Sequence, residues 1–258
     1  MVNSVILAIA YTVFIWWFST GVILYLNGLP RWTFKWTMAA ATVVLVAALI
    51  ALGVSSRVEA PWAAYCAFTS AVLVWAWQEI GFLLGWVTGS RKSDCPTDAK
   101  GWRKFGLAAE TILHHELALV MLALLVWWVT RDGPNQIGFW TYLVLWAMRQ
   151  SAKLNVYFGV RNLNEEFLPR HLQYLHTYFT RRAINPFLPV SVLLACVAVA
   201  PLWRGVVVAP VAGFDAVGMT LVATLLSLAI LEHLFLVLPL PFENLWRWGL
   251  RSRAAPLS

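Results

Sequence analysis

Ionisable side chains lie inside apolar stretches of this sequence, and these are the residues whose types could do chemistry. The candidate set is Glu79, Glu110, His114, His115, Arg149, Lys153, Glu232 and His233. Carboxylates and imidazoles bind metal ions or move protons, and cationic side chains pair with acids. A charge at the centre of a membrane costs at least about 2.5–3.5 kcal/mol, so such residues are usually paired or functional. The sequence therefore predicts an intramembrane polar cluster.

Predicted depth supports one cluster. At 1.5 Å per residue, six candidate residues lie roughly 8–15 Å from the predicted cytoplasmic ends of their helices. They are Glu79 at roughly 12 Å, and Glu110, His114, Arg149, Lys153 and His233. Glu110 and His114 are four residues apart, so they share a helix face. The next two residues, His115 and Glu116, are rotated away and are not expected to point the same way.

Three interpretations of this cluster remain open. It is structural, joining helices by salt bridges and hydrogen bonds; or it holds a metal such as iron; or it lines a pocket for bacteriochlorophyll or another tetrapyrrole. A histidine would ligate the central metal of a pigment, and Arg149 or Lys153 would pair with its acid group. The candidate metal ligands are Glu79, Glu110, His114, Glu232 and His233. Their spacing lacks the Glu-x-x-His pattern of ferritin-like iron sites.

The composition indicates which elements must position these residues. Of the 258 residues, 60% are hydrophobic and 12% charged, whereas soluble domains carry about 25% charged residues. Several apolar runs exceed the roughly 20 residues that cross a bilayer. We therefore predict an all-α polytopic membrane helical bundle that forms a single domain over residues 1–258. The lipid bilayer is its first partner, and its net charge of +7 reflects topology rather than a nucleic-acid partner.

Seven transmembrane helices are predicted, covering about 5–26, 37–53, 61–88, 105–130, 137–160, 189–203 and 214–237. One set of alternate loops, with the C-terminal tail, carries 14 Lys and Arg residues, and the other set carries three. The positive-inside rule then places the N-terminus outside and the C-terminus in the cytoplasm. A cytosolic loop with a short surface helix is predicted at about 161–186, and an interfacial tail at about 242–258.

The motif KLNVYFGVRNLNEEFLPRHLQYL begins at Lys153, inside the fifth predicted span, and continues into the cytosolic loop. Its polar members include Arg161, Asn162, Asn164, Glu165, Glu166 and His171. Arg161 is expected to pair with Glu165 or Glu166 across one turn, and Asn162 or Asn164 to cap the helix that follows. For His171 we favour an exposed or interfacial side chain.

This motif, with the NP-x-x-PVS run after it, resembles the photosynthetic complex assembly protein family, the PuhE proteins of purple photosynthetic bacteria. The overall length and the seven-span hydropathy also fit that family. The resemblance implies a multi-pass protein of the bacterial inner (intracytoplasmic) membrane. It implies partners among reaction-centre or light-harvesting subunits or other assembly factors, and a link to bacteriochlorophyll production. It transfers no catalytic residue to this chain.

The leading functional hypothesis is an integral membrane assembly factor for reaction-centre and light-harvesting complexes that handles bacteriochlorophyll, rather than an enzyme. The rival is a membrane-embedded, di-iron-like oxidoreductase that acts on a tetrapyrrole or a carotenoid. A transporter ranks lowest, because neither an inverted repeat nor a pair of broken helices is visible in the sequence.

Overall fold

A computed structural model describes residues 2–163, 165–209 and 213–254. The long helices are α1 (Val2–Asn27), α2 (Phe34–Ser55), α3 (Pro61–Leu83), α4 (Gly101–Thr130), α5 (Ile137–Phe158), α6 (Phe187–Val208) and α7 (Phe214–Phe235). The shorter elements are α8 (Arg247–Ala254) and the 3₁₀ helices Arg31–Thr33, Glu165–Phe167, Arg170–Tyr178 and Phe242–Trp246. Within the described residues there is no strand beyond one isolated bridge between Val160 and Arg181. The predicted all-α class is confirmed.

Six of the seven long helices are long and apolar enough to cross a membrane, which confirms a multi-pass membrane protein. The exception is α5, which has 22 residues like α2, α6 and α7 but is more polar. The count of seven spans and the orientation of the termini stay predictions.

The long helices run between two ends of the bundle. At the end that we call the loop end, a ring nitrogen of His171 bonds the last carbonyl of α3, at Leu83, and Asn162 bonds the last carbonyl of α7, at Phe235. At the opposite end, the Asn135 amide donates to the carbonyls of Ser55 and Ala63, which joins the end of α2 to the start of α3. Helix α5 begins two residues after Asn135 and ends at the loop end, so it runs the length of the bundle.

The core lies around α3 and α7, which are the most buried of the candidate spans. Small side chains on α3, including Ala67 and Ala71, pack with Ala48 and Leu52 of α2. Helix packing in membranes depends on such close approach, because lipid supplies no hydrophobic force between helices. The outward faces of α1, α2, α4 and α6 are apolar and exposed, as expected of lipid-facing surfaces.

Helix α3 ends five residues earlier than predicted. Gly85 adopts a φ of 80°, and the backbone N–H groups of Trp86 and Gly85 donate to the carbonyls of Gly81 and Phe82, each at 2.9 Å. This is the glycine-terminated Schellman motif, and its positive φ is adopted readily only by a residue without a Cβ. Glu79 therefore lies roughly 6 Å from the end of its helix rather than the predicted 12 Å.

The chain after α3 folds back against α4. The His115 backbone N–H donates to the Thr88 carbonyl at 2.8 Å, outside the helix. At Gly89 the approach is so close that a Cβ would lie 1.9 Å from the Glu110 carbonyl oxygen. This segment is therefore part of the bundle rather than a free loop.

The segment between α5 and α6 is held by Asn185. Its side-chain amide donates to the Gly159 carbonyl at 2.9 Å, and its Oδ1 accepts the backbone N–H groups of Phe187 and Leu188. One side chain thus caps the end of α5 and the start of α6. The short surface helix predicted here is a 3₁₀ helix, Arg170–Tyr178, whose Leu172 and Leu175 are buried.

The C-terminal tail contains α8, which packs on α1. The Trp246 indole N–H donates to the Trp17 carbonyl at 2.9 Å. Gly249 allows the two backbones to meet, since a Cβ there would lie 2.4 Å from the Gly21 carbonyl oxygen. Residues 255–258 of the predicted tail lie outside the described residues.

Candidate functional site

A cavity of about 580 Å³ lies inside the bundle, between α1, α3, α4, α5 and α7. Leu163 and side chains from Phe167 to Phe179 close it at the loop end. Its wall is mostly aliphatic and aromatic. The ionisable side chains on the wall, apart from tyrosines, are Glu79, Glu116, Arg149, Lys153 and Glu232, and we call these five the charged layer.

The first ion pair of the charged layer joins α3 to α5. Arg149 Nη2 lies 3.0 Å from Glu79 Oε2, and Glu79 is buried. The Gln78 side chain donates to the other carboxylate oxygen of Glu79 at 3.2 Å. Within the described part of the chain, the side chain of Arg149 makes one hydrogen bond, from Nη2 to Glu79, so its remaining N–H groups are available to a molecule in the cavity.

The second ion pair joins α4 to α5. Lys153 Nζ lies 2.5 Å from Glu116 Oε1, and the Gln150 side-chain amide donates to Glu116 Oε2 at 2.5 Å. Lys153 and Gln150 are three residues apart on α5, so both reach one carboxylate from the same helix face. Glu116 was expected to point away from the cluster, and that expectation is wrong.

Glu232 is the third carboxyl group of the charged layer. It accepts a hydrogen bond from the Trp16 indole at 2.8 Å, which joins α7 to α1. Within the described residues the layer holds three carboxyl groups and two cations, and Glu232 is the carboxyl group that forms no ion pair. Its side chain is exposed and also lies on the cavity wall.

Two histidines of the candidate set are buried but do not line the cavity. His233 contacts the Ser151 hydroxyl through Nε2 at 2.8 Å and the Ala229 carbonyl through Nδ1 at 2.9 Å. Since a carbonyl only accepts, Nδ1 carries the proton in the neutral ring. His115 is fully buried against the Phe82 ring, with ring centres 4.5 Å apart. Among the described residues neither of its ring nitrogens has a partner.

The predicted convergence of Glu110 and His114 on the cluster is wrong, because both side chains are exposed. The backbone N–H of Arg91 donates to the Glu110 carbonyl at 3.4 Å, so Glu110 lies level with the polar segment after α3. The buried face of α4 instead carries His115, with Leu119 one turn further on. That spacing of four residues does not distinguish this face, because Glu110 and His114 have the same spacing.

The proposed metal ligands do not meet. Glu79 is paired with Arg149, Glu232 with Trp16, and His233 with Ser151, while Glu110 and His114 face outward. The part of the chain that the structure describes contains no group of three or more His, Cys, Asp or Glu side chains placed to hold a metal ion. The geometry therefore does not fit the carboxylate–histidine iron centre.

Polar residues of the loop motif hold the ends of helices. Asn162 donates through its side chain to the carbonyls of Phe235 and Leu238, each at 2.7 Å, so it caps the end of α7 rather than the start of the next helix. Glu165 pairs with Arg181 at 2.8 Å and not with Arg161, which is exposed.

The remaining polar residues of the motif are Glu166, Asn164 and His171. Glu166 has an exposed side chain, and its backbone carbonyl accepts a hydrogen bond from Arg253 of α8. Asn164 lies outside the described residues. His171 is half-buried rather than exposed, and its Nε2 bonds the Leu83 carbonyl at 2.9 Å. Burial lowers the pKa of His171, nearby cations lower it further, and the Leu83 bond opposes them.

This fold and cavity define an all-helical, multi-pass membrane protein with a charged layer inside its bundle. The chain belongs to the family described as "Protein of unknown function (DUF3623)", whose model matches residues 1–256. It is similar to the "Uncharacterized 30.4 kDa protein in puhA 5'region" of Rhodobacter capsulatus, with 37% identity over 255 residues. That alignment covers 95% of this chain and 90% of the relative. No solved structure matches the chain.

Proposed function

We propose that this protein is a membrane assembly factor of the photosynthetic apparatus, of the PuhE type, and that its cavity receives bacteriochlorophyll or a precursor of it. The observation that carries the proposal is the cavity, which combines an apolar wall with a charged layer. The name of the Rhodobacter capsulatus relative, which refers to the puhA region, supports a photosynthetic role. The membrane would be the intracytoplasmic membrane, and the partners reaction-centre or light-harvesting subunits.

The size and lining of the cavity suit such a cargo. Its volume of about 580 Å³ lies within the range of about 300–1,000 Å³ that is typical of small-molecule sites. An apolar pigment dissolves in lipid, so it would enter from the bilayer, and exposed residues of the cavity wall, such as Glu232, would mark such a route. Aromatic side chains on the wall, such as Phe82 and Trp75, would stack on a flat macrocycle.

The charged layer would orient the cargo. Free N–H groups of Arg149 would donate to a carbonyl or acid group at the edge of a macrocycle. Glu232, which forms no ion pair within the described residues, is placed to accept a hydrogen bond from the cargo or to neutralise its metal. These groups bind and orient, and none is arranged as a nucleophile with an adjacent base, so the proposal is a carrier rather than an enzyme.

A substitution that fills the cavity with a larger side chain tests the carrier function directly. Ala76 lies on the cavity wall, whereas Ala40 of α2 is exposed outside it. We expect protein purified from its native membrane to show tetrapyrrole absorption, Ala76→Phe to lose it, and the control Ala40→Phe to keep it. An absorption spectrum without tetrapyrrole in the unchanged protein would overturn the pigment assignment.

The assembly function is tested in the cell. A strain that lacks the gene should contain less assembled reaction-centre and light-harvesting complex, and the unchanged gene should restore it. Ala76→Phe should fail to restore it, although the protein accumulates in the membrane. Normal levels of both complexes in the deletion strain would contradict the proposal.

A further inference from the structure

A second cavity, of about 220 Å³, lies at the loop end, between the start of α2, the end of α3 and the 3₁₀ helix Arg170–Tyr178. It is lined by Arg31, Phe34, Leu84, Gly85, Thr88, Lys92, His171, Leu172 and Tyr174. Three of these side chains are basic or can become so, and none is acidic. The lining therefore favours an anion.

The two cations that line this cavity have no counterion in the protein. Among the described residues, the side chains of Arg31 and Lys92 make neither an ion pair nor a hydrogen bond. Two other basic side chains at this end do have partners: Arg181 pairs with Glu165, and Arg253 bonds Asn27. Unpaired cations in a concave site raise the local concentration of anions.

Uncharged donors complete the lining. The Tyr174 hydroxyl is buried, and the Thr88 hydroxyl beside it also lines the cavity. The chain enters α2 through the 3₁₀ turn Arg31–Thr33, so the positive end of α2 lies at this cavity. His171 also lines the cavity, and it donates Nε2–H to the Leu83 carbonyl at 2.9 Å.

We propose that this second cavity binds the phosphate group of an anionic ligand, with Arg31 and Lys92 as its charged ligands. The favoured source is the headgroup of an anionic phospholipid such as phosphatidylglycerol. Exposed tryptophans surround this end, namely Trp32, Trp36 and Trp86, and tryptophan is enriched where a protein meets the headgroup layer. Free phosphate shares the same chemistry and is the other source.

Binding is measured with the full-length protein in a neutral detergent. Short-chain phosphatidylglycerol, short-chain phosphatidylcholine and inorganic phosphate are titrated separately, and bound ligand is counted by native mass spectrometry. The test variant is Arg31→Gln/Lys92→Gln. The matched control is Lys35→Gln/Lys100→Gln, which removes the same charge from side chains that do not line the cavity. His171 is left unchanged because it also caps α3.

We expect one phosphatidylglycerol molecule to bind, at least about tenfold more tightly than phosphatidylcholine does. The test variant should lose about tenfold in affinity for phosphatidylglycerol, because it lacks the charge-assisted hydrogen bonds. The control should bind as the unchanged protein does. Inorganic phosphate that binds at the same site and is lost in the same variant would assign the site to free phosphate. No binding of either ligand, or equal binding by the test and control variants, would overturn the proposal.

Discussion

Lys153 of α5 lies 2.5 Å from Glu116 of α4, inside the cavity and away from the polar ends of the bundle. Both side chains are largely buried, so each stabilises the charge of the other inside the protein. Removing one partner from a buried pair leaves an uncompensated charge, whereas removing both does not. Comparing a variant that lacks one partner with a variant that lacks both therefore distinguishes a coupled ion pair from two side chains that act independently.

The first prediction is that Lys153→Met destabilises the protein and that Lys153→Met/Glu116→Gln recovers most of the loss. The single change should cost about 3 kcal/mol, the lower end of the range for broken buried pairs, measured as the free energy of unfolding in detergent. Arg103→Gln breaks the exposed pair with Asp98 and should change that free energy by about 0.5 kcal/mol or less. A double variant as unstable as the single one would contradict the prediction.

The pair also shows what the sequence could and could not predict. The apolar runs gave the seven long helices, and the rarity of charges inside them pointed to Arg149, Lys153 and Glu79. The rotation of α4 was not predictable from amphipathicity, because both its core face and its lipid face are apolar. The spacing of Glu110 and His114 therefore predicted Glu110 as a member of the cluster, whereas Glu116 is the residue whose side chain contacts α5.

The end of α3 was missed for a different reason. Apolar residues continue to Val87, so hydropathy extends the helix, but Gly85 in a left-handed conformation stops it. The loop motif was recognised as a unit, yet its role in capping depends on contacts between residues far apart in the sequence. Asn162 and Phe235 are 73 positions apart, and no local spacing rule relates them.

The second prediction concerns that cap. Asn162→Ala removes the donor for the carbonyls of Phe235 and Leu238, which would cost about 1–3 kcal/mol for groups left unpaired. Limited proteolysis should then cut the chain after α7 faster, and the melting temperature should fall. Asn244→Ala, an exposed change in the nearby 3₁₀ helix Phe242–Trp246, is the control. Equal proteolysis in the two variants would show that the cap contributes nothing.

The third prediction is a pH dependence at His171. Burial lowers the pKa of His171 in the folded protein, below the value of about 6.5 for an exposed histidine. The neutral ring therefore contributes fully to the stability of the folded state above about pH 6.5. This contribution is lost as the pH falls through the folded pKa of His171. Acidification should loosen the 3₁₀ helix Arg170–Tyr178 from the end of α3.

Hydrogen exchange of that 3₁₀ helix in neutral detergent, corrected for intrinsic rates, provides the measurement. Protection should fall between pH 7.5 and pH 5 in the unchanged protein. In His171→Gln, which keeps a donor for Leu83 but does not titrate, protection should not depend on pH. The same pH dependence in both proteins would exclude His171 as its cause.

The fourth prediction concerns orientation, and it also tests whether α5 crosses the membrane. The excess of basic residues at the loop end predicts that this end is cytoplasmic. Single cysteines in a background free of Cys66, Cys95 and Cys196 report the side of each connection. The test positions are exposed residues, namely Arg57, Thr97, Asp132 and Arg170.

Cysteines at Arg57 and Asp132 should react with a membrane-impermeant maleimide in right-side-out vesicles, and those at Thr97 and Arg170 only in inverted vesicles. Asp132 and Arg170 flank α5, so labelling from opposite sides means that α5 spans the bilayer despite Arg149 and Lys153. The two ion pairs make this crossing feasible, because each places a carboxylate of a neighbouring helix against a cation of α5. Labelling of both positions from one side would show that α5 does not cross, and the charged layer would then lie outside the apolar core of the membrane.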